Sequence, residues 1–305
     1  MTLPFSPYEE IASIIARFAT VDGDLPTAID NLTLFRRSAP TQPQHAAYKP
    51  GFAIVAQGTK SLTVGREIYH YGAGQYLLTS LDLPVASHVT EASSKSPYLC
   101  FGFVIDSTKL NDLLAHVSVP RSATVDGMRG LAVNVASPDI LDASVRLLRL
   151  LDRPDDIAVM APLIQHEILY RLLTGPDGPR LLQIAMAESQ SNKVVRAVAW
   201  IRDNYVQTLR IEELAERISM SVSSLHHNFK AVTAMTPLQY QKQLRLHEAR
   251  RLILVDRLDV GMAGHRVGYQ SPSQFSREYS RLYGSPPLRD VEGVRRQFDE
   301  GLTQG

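Results

Sequence analysis

Hydrophobic positions along this chain follow two periods. Over residues 51–106 they fall in short runs, FAIVAQG, KSLTVG, EIYHYG, QYLLTS, PVASHVT and PYLCFGFVID, rich in β-branched and aromatic side chains and punctuated by glycine or polar residues. Side chains alternate across a strand and turn residues bound it, so this stretch predicts several antiparallel strands in a small barrel or sandwich. Over residues 138–187 the spacing lengthens to that of a helix. ILDASVRLLRLL and MAPLIQHEILYRLL each carry an apolar stripe, and Gly175-Pro-Asp-Gly-Pro179 breaks the chain before a further helix over 180–187.

Beyond residue 210 one pattern is written twice, as IEELAERISMSVSSLHHNFKAVTAM over 211–235 and VGMAGHRVGYQSPSQFSREYSRLYG over 260–284. Each copy reads as a short helix, a turn of small residues and a second amphipathic helix, the shape of a helix-turn-helix. Leu225, Phe229 and Val232 share one face of the second helix, and Phe275, Tyr279 and Leu282 repeat that spacing. Helix geometry then leaves Ser223, His226 and His227 on another face, matched by Ser273, Ser276 and Arg277, with Gln274 beside them. All can hydrogen-bond to base edges, and Arg277 can fork onto a guanine. Ser221 and Ser271 are N-cap candidates, and Pro272 suits a first helical position. A polar outer face is the default of any surface helix. Its duplication, with a turn at the same place, is what points to DNA.

Between the copies, residues 237–256 predict a helix whose stripe includes Tyr240, Leu244, Ala249, Leu252 and Val255. About eighteen residues at about 1.5 Å each make a rod of roughly 27 Å. With a unit at each end, that suits the roughly 34 Å of one DNA turn. Lys242, Arg245, Arg250 and Arg251 are candidates for phosphate contacts or for ordinary solvation.

The segments MSVSSLHHNFKAVTAMTPLQYQKQLRLHEARRLI and VGYQSPSQFSREYSRLYGSPP resemble the AraC family of bacterial transcription regulators, over roughly the last third of the chain. The resemblance implies DNA reading by Ser223, His226, His227, Ser273, Gln274, Ser276 and Arg277. Three positions depart from the family pattern. His227 stands where arginine is common, Gly264 where alanine is usual, and His265 where a buried aromatic is expected. Gly261 and Gly264 should each weaken their helix by about 1 kcal/mol relative to alanine. Upstream, KPGFAIVAQGTK, YHYGAGQYLLTSLDLPV and QHEILYRLLTGPDG resemble the sensing domain of the AraC_N subgroup, which implies a cupin-like barrel with dimer contacts through its trailing helices.

The expectation is therefore an α+β chain, with an effector-sensing and dimerisation domain over 1–190 and a DNA-binding domain over 191–305. Its length of 305 residues suits two domains. The net charge of +1 hides a division: residues 193–305 hold 17 Lys+Arg against 12 Asp+Glu, and the remainder is acidic. The basic half carries the repeat, which mildly favours DNA as its partner. One cysteine excludes an internal disulfide framework, the N-terminus lacks the basic region of a signal peptide, and no apolar run is membrane-long. Together these place the protein in the cytoplasm.

Enzyme chemistry finds little support. His70, His88 and Glu91 are scattered, no H-x-H pair occurs, and neither a phosphate-binding loop nor a nucleophile elbow is present. No metal or other cofactor is expected. A barrel of this size can hold one small effector, and Tyr48, Lys49, Gln57, Tyr69, Tyr71, Tyr76 and Cys100 are candidates to line it. Equally, the tyrosines can fill the core with their hydroxyls at its rim. Cys100 reads as a buried apolar thiol or as a thiol that senses an electrophile. The expected partners are double-stranded DNA, an unknown small molecule, a second copy of the chain and, for an activator, RNA polymerase. The rival reading is a cupin-type metal-binding enzyme or sensor with a weakened DNA module, supported by Gly264 and His265.

Overall fold

The computed structural model describes residues 6–117, 128–185 and 193–293. Helix α1 (Pro7–Phe18) opens with a capping box, in which the Ser6 hydroxyl accepts from the Glu9 amide and the Glu9 side chain returns to the Ser6 amide. Nine strands follow: β1 (Gly23–Pro26), β2 (Leu32–Arg37), β3 (Gln44–Tyr48), β4 (Gly51–Gln57), β5 (Thr59–Val64), β6 (Glu67–Gly72), β7 (Gln75–Thr79), β8 (Leu83–Glu91) and β9 (Tyr98–Val104). After α2 (Ser107–Leu114), strand β10 (Leu131–Val135) completes the sheets. Every pairing is antiparallel, in a six-stranded sheet of order β1-β2-β9-β4-β7-β10 and a four-stranded sheet β3-β8-β5-β6.

The trailing helices are α3 (Pro138–Arg149), α4 (Pro154–Thr174) and α5 (Gly178–Ala185). They and α1 cover one face of the six-stranded sheet, where Leu34, Ile54, Tyr76 and Phe101 share a core with Ile15, Leu148, Ile168 and Leu172. The opposite face of that sheet, with Val55, Leu77 and Cys100, joins Leu62 and Val85 of the smaller sheet. Buried on both faces, β4 and β9 are apolar almost without interruption, which explains GFAIVAQ and YLCFGFV. All six expected strands are present. Strands β1, β2, β3 and β10, unanticipated from the pattern, extend the sheets.

The rest is helical: α6 (Lys193–Asp203), α7 (Ile211–Arg217), α8 (Val222–Thr233), α9 (Pro237–Leu254), α10 (Val260–Arg266) and α11 (Pro272–Tyr283). Helices α7–α8 and α10–α11 are the two helix-turn-helix units. Their turns match in detail. The Met220 amide bonds the Ala215 carbonyl in one, and the Tyr269 amide bonds the Gly264 carbonyl in the other. Ser219 and Gly268 hold the left-handed turn position, with φ of 56° and 95°. A Cβ at Gly268 would meet the Val206 carbonyl oxygen at 2.2 Å, so glycine is required there.

Helix α9 serves both units. Tyr240 and Leu244 pack with Leu225 and Phe229 of the first, while Ala249, Leu252 and Ile253 pack with Phe275 and Tyr279 of the second. Val255, expected in the same stripe, is exposed because the helix has ended at Leu254.

No polar gap separates the barrel from the first unit. One apolar cluster runs from Val55, Leu62 and Tyr98 to Ile201, Leu214 and Phe229. The β5–β6 turn rests on the end of α8, where a Cβ at Gly65 would lie 2.4 Å from the Ala234 carbonyl oxygen. The Gly130 amide donates to the Val232 carbonyl at 3.0 Å, and Arg129 bridges Glu67 to the carbonyls of Lys230 and Ala231. A cation there complements the negative end of α8. The Tyr240 hydroxyl donates to the Asp82 carbonyl at 2.6 Å, and Arg202 pairs with the Asp82 carboxylate at 2.7 Å. Among the described residues, no helix is long and apolar enough to cross a membrane.

Candidate functional site

Helices α8 and α11 present the same division of faces. Leu225, Phe229 and Val232 are buried in the first, and Phe275 and Tyr279 in the second, with Leu282 half-buried. Ser223, His227, Ser273, Gln274 and Arg277 are exposed, and His226 and Ser276 are half-exposed. Each helix starts from a side-chain cap: Ser221 accepts from the Ser224 amide and Ser271 from the Gln274 amide. Each ends in a left-handed residue, Ala234 or Gly284. The side chains of Ser223, His227, Ser273 and Arg277 make no hydrogen bond to another described residue and are exposed, so their polar atoms are unspent. Gln274 differs. Its amide nitrogen lies 3.2 Å from Glu278, which also receives Lys242 and the Tyr269 hydroxyl, both at 2.8 Å.

The four cations of α9 all have partners within the chain. Lys242 is held by Glu278, and Arg251 by Glu248 and Asp256. Arg250 forks onto Asp290 at 2.7 and 3.2 Å. Arg245 donates to the carbonyls of Tyr205, Val206, Gln207 and Gly268, tying α9 to the segment after α6 and to the second turn. Apart from those of Arg251, which are three and five positions away, these partners lie far away in sequence, so charge pattern alone could not reveal them.

The two departures in α10 also change meaning. His265 is exposed rather than packed in the core. Gly264 is buried against the Phe275 ring, whose nearest atom would lie 2.9 Å from a Cβ there. The equivalent position in the first unit is Ala215. The glycine lets α11 sit closer to α10 than alanine would allow, at the cost of helix propensity.

The barrel opens into a cavity of about 1400 Å³ that reaches the second helix-turn-helix unit. Of the candidates, Tyr48, Lys49, Tyr71 and Cys100 line it, together with Lys60, Tyr98 and Phe35. The other candidates lie elsewhere. Gln57 donates to the Pro97 carbonyl at 2.7 Å, the Tyr69 hydroxyl to Glu67 at 2.8 Å, and the Tyr76 hydroxyl to Asp177 on the helical side of the sheet at 2.5 Å. Tyr76 pairs with a buried acid, so a hydroxyl at a barrel rim was the wrong picture for it. Burial pushes the Cys100 thiol up to about 11, with the Tyr98 hydroxyl and Lys60 opposing. A thiol so rarely ionised near neutrality is a poor nucleophile. Among the described residues, no three His, Cys, Asp or Glu side chains are grouped to hold a metal ion.

Where the cavity meets the second unit, His45 of β3 packs edge-on against Tyr283 and His247, with ring centroids 4.9 and 5.8 Å away. Arg250 lies over the Tyr283 ring at 4.9 Å, and the Tyr279 hydroxyl donates to Asp290 at 2.8 Å. The His247 Nε2 is buried with no hydrogen-bond partner. Burial first, then His45 and Arg250, push its pKa down to about 3. Burial likewise lowers that of His45.

Comparison with known proteins agrees with this architecture. Residues 28–180 match the family described as AraC-type transcriptional regulator N-terminus, and residues 214–291 match a helix-turn-helix domain. The chain is 29% identical over 158 residues to the HTH-type transcriptional activator RhaS of Pectobacterium carotovorum subsp. carotovorum (strain PC1), covering 51% of this chain and 54% of that protein. The match thus spans about half the length of the relative. Among solved structures, the chain is similar to an apo ToxT variant from Vibrio cholerae strain SCE256, with a TM-score of 0.56 and 9% identity over 88% of this chain and 98% of that one. It is also similar to unsaturated fatty acid bound wild-type ToxT from the same strain, with a TM-score of 0.53 and 8% identity over 85% and 94% of the two chains. At these identities the likeness is one of fold.

The histidine contact should make the molecule acid-sensitive. In the unfolded chain His247 takes a proton near pH 6.5, whereas the folded protein resists it until about 3. Its contribution is fully present above pH 6.5 and is lost as pH falls from there toward 3. Thermal melting at pH 7 and pH 5 should show a drop in wild type that His247→Leu reduces. An equal drop in both proteins would remove His247 as the cause.

Proposed function

The chain belongs to the AraC family of transcription regulators, and from that premise we propose that it is a sequence-specific DNA-binding regulator acting in the cytoplasm as an activator. The carrying observation is the pair of capped helices, α8 and α11, with matching buried faces and unspent polar side chains outside. Ser223, His226, His227, Ser273, Ser276 and Arg277 are the proposed readers of base edges. Gln274 contributes from its tether on Glu278. Backbone contacts would supply much of the affinity and its salt dependence, and the reading faces its specificity. The proposed division of labour follows the expected boundary near residue 190, with sensing and pairing before it and DNA reading after it. RNA polymerase is the further partner an activator requires.

The barrel cavity is the proposed effector site. In the similar fold of ToxT, a fatty acid has been found bound. A ligand here would touch both the barrel and the second unit, because Arg250, Tyr283 and Arg289 line the same cavity. Differential affinity for two arrangements of these parts is what an effector needs in order to act.

Pairing of two chains is assigned to α4. Val159 and Leu163, one turn apart, are 67% and 60% exposed, and Met160 and Tyr170 extend the apolar patch. A two-fold axis would bury this patch against its own copy. The expected result is that Leu163→Glu shifts the protein from dimer to monomer in light scattering. A monomeric wild type, or an unaffected dimer, would contradict this assignment.

DNA reading is tested at Arg277. Arg277→Ala should cost about 1–3 kcal/mol on a selected DNA site and relax base preference at one position. Equal losses on selected and random DNA would mean that Arg277 touches only the backbone.

A further inference from the structure

The barrel encloses a cation that its own side chains leave without an anion. Lys60 lies on β5 opposite Tyr71 of β6, and its ammonium lines the cavity. Its Nζ donates to the Tyr48 hydroxyl at 2.9 Å and stands 5.6 Å from that ring's centroid. The Tyr48 hydroxyl in turn lies 3.1 Å from the Ser87 hydroxyl. No described carboxylate stands within ion-pair distance of Lys60. Asp24, which also lines the cavity, is occupied by Arg37 at 2.6 Å. Burial opposes the charge on Lys60, while the bond to Tyr48 favours it, and the balance keeps the amine protonated.

An ammonium withdrawn from water without a counter-charge is costly, and that cost becomes affinity when a ligand brings the anion. The remaining walls near Lys60 restrict the ligand further. Phe35, Ala53 and Leu77 are apolar, and Tyr71 and Tyr98 are aromatic. Lys49 and Arg289 also line the cavity without an ion pair, but both are exposed, so Lys60 is the withdrawn cation among the described lining residues; its single charge matches one negative charge, and Asp24 disfavours a second. The volume of about 1400 Å³ exceeds the roughly 300–1,000 Å³ of an ordinary small-molecule pocket, which leaves room for an extended body.

We propose that the cavity takes a monocarboxylate with an apolar body, its carboxylate paired with the Lys60 ammonium beside the Tyr48 hydroxyl. The body then points along the cavity toward Arg250, Tyr283 and Arg289, so head recognition occurs in the barrel and the tail meets the DNA-binding half. This inference rests on the reading of the cavity as an effector site.

Titration calorimetry on the full chain tests it with two matched pairs, decanoate against decanol and 2-naphthoate against 2-naphthalenemethanol. The pairs distinguish an extended aliphatic body from a planar aromatic one. In wild type, at least one acid should bind about tenfold or more tighter than its alcohol, the size of one charged hydrogen-bonded contact. Lys60→Met and Lys60→Gln should abolish that preference while leaving alcohol binding in place, and Lys60→Arg should retain part of it. Melting temperatures without ligand verify that each variant is folded, and loss of the preference in either neutral variant suffices. If acid and alcohol bind wild type alike, or the preference survives in both neutral variants, the carboxylate assignment is overturned while the cavity remains a ligand site. If none of the four compounds binds, the effector reading falls with it.

Discussion

Helix α9 is the constraint on which the DNA-binding half depends. Its apolar side chains are divided between two cores, Tyr240 and Leu244 in one and Ala249, Leu252 and Ile253 in the other. Each helix-turn-helix unit buries part of its inner face on this helix, and the first packs on α6 as well. Sharing one rod also fixes the separation and relative rotation of α8 and α11. Arg245 reinforces this at the middle of the helix, where its guanidinium ties four backbone carbonyls from two other segments to α9. Groups that charge counting would assign to DNA are instead what holds the reader rigid.

The barrel joins that frame directly. Its core continues into the first unit, and Gly65, Arg129 and Gly130 close over the end of α8. The second unit is met differently, through His45, His247 and Tyr283 at the rim of an open cavity. The first contact is a continuous apolar core edged by polar bonds, the second aromatic and beside an open cavity. A ligand in the cavity would therefore act chiefly on the second unit, where less packing opposes movement.

Much of this could be read from the chain because periodicity records burial. The reading helices were visible through Leu225, Phe229, Phe275 and Tyr279, which recur at helical spacing, and the polar faces followed from geometry. Strands β4 to β9 were visible as apolar runs. Strands β1 and β3 were not, because they lie at sheet edges, are only partly buried and show little alternation. Site details depended on distant partners. Lys60 looks like a surface residue in TKSLTV, and only the fold, which brings Tyr48 of β3 to its ammonium, turns it toward the cavity. Tyr76 and Gln57 looked like pocket residues until Asp177 and the Pro97 carbonyl, 101 and 40 positions away, took their polar ends. Gly264 looked like damage to a helix, yet its lack of a side chain makes room for Phe275.

The central claim is that one rigid helix holds two readers against one face of duplex DNA. Selection of bound fragments from a random pool by the full chain, followed by insertion of half a helical turn between the two enriched segments, tests it most directly. The expected result is two short motifs about one turn apart, roughly 10 base pairs, with the insertion reducing affinity to that of a fragment bearing one motif. Enrichment of no sequence, or affinity indifferent to the insertion, would contradict it.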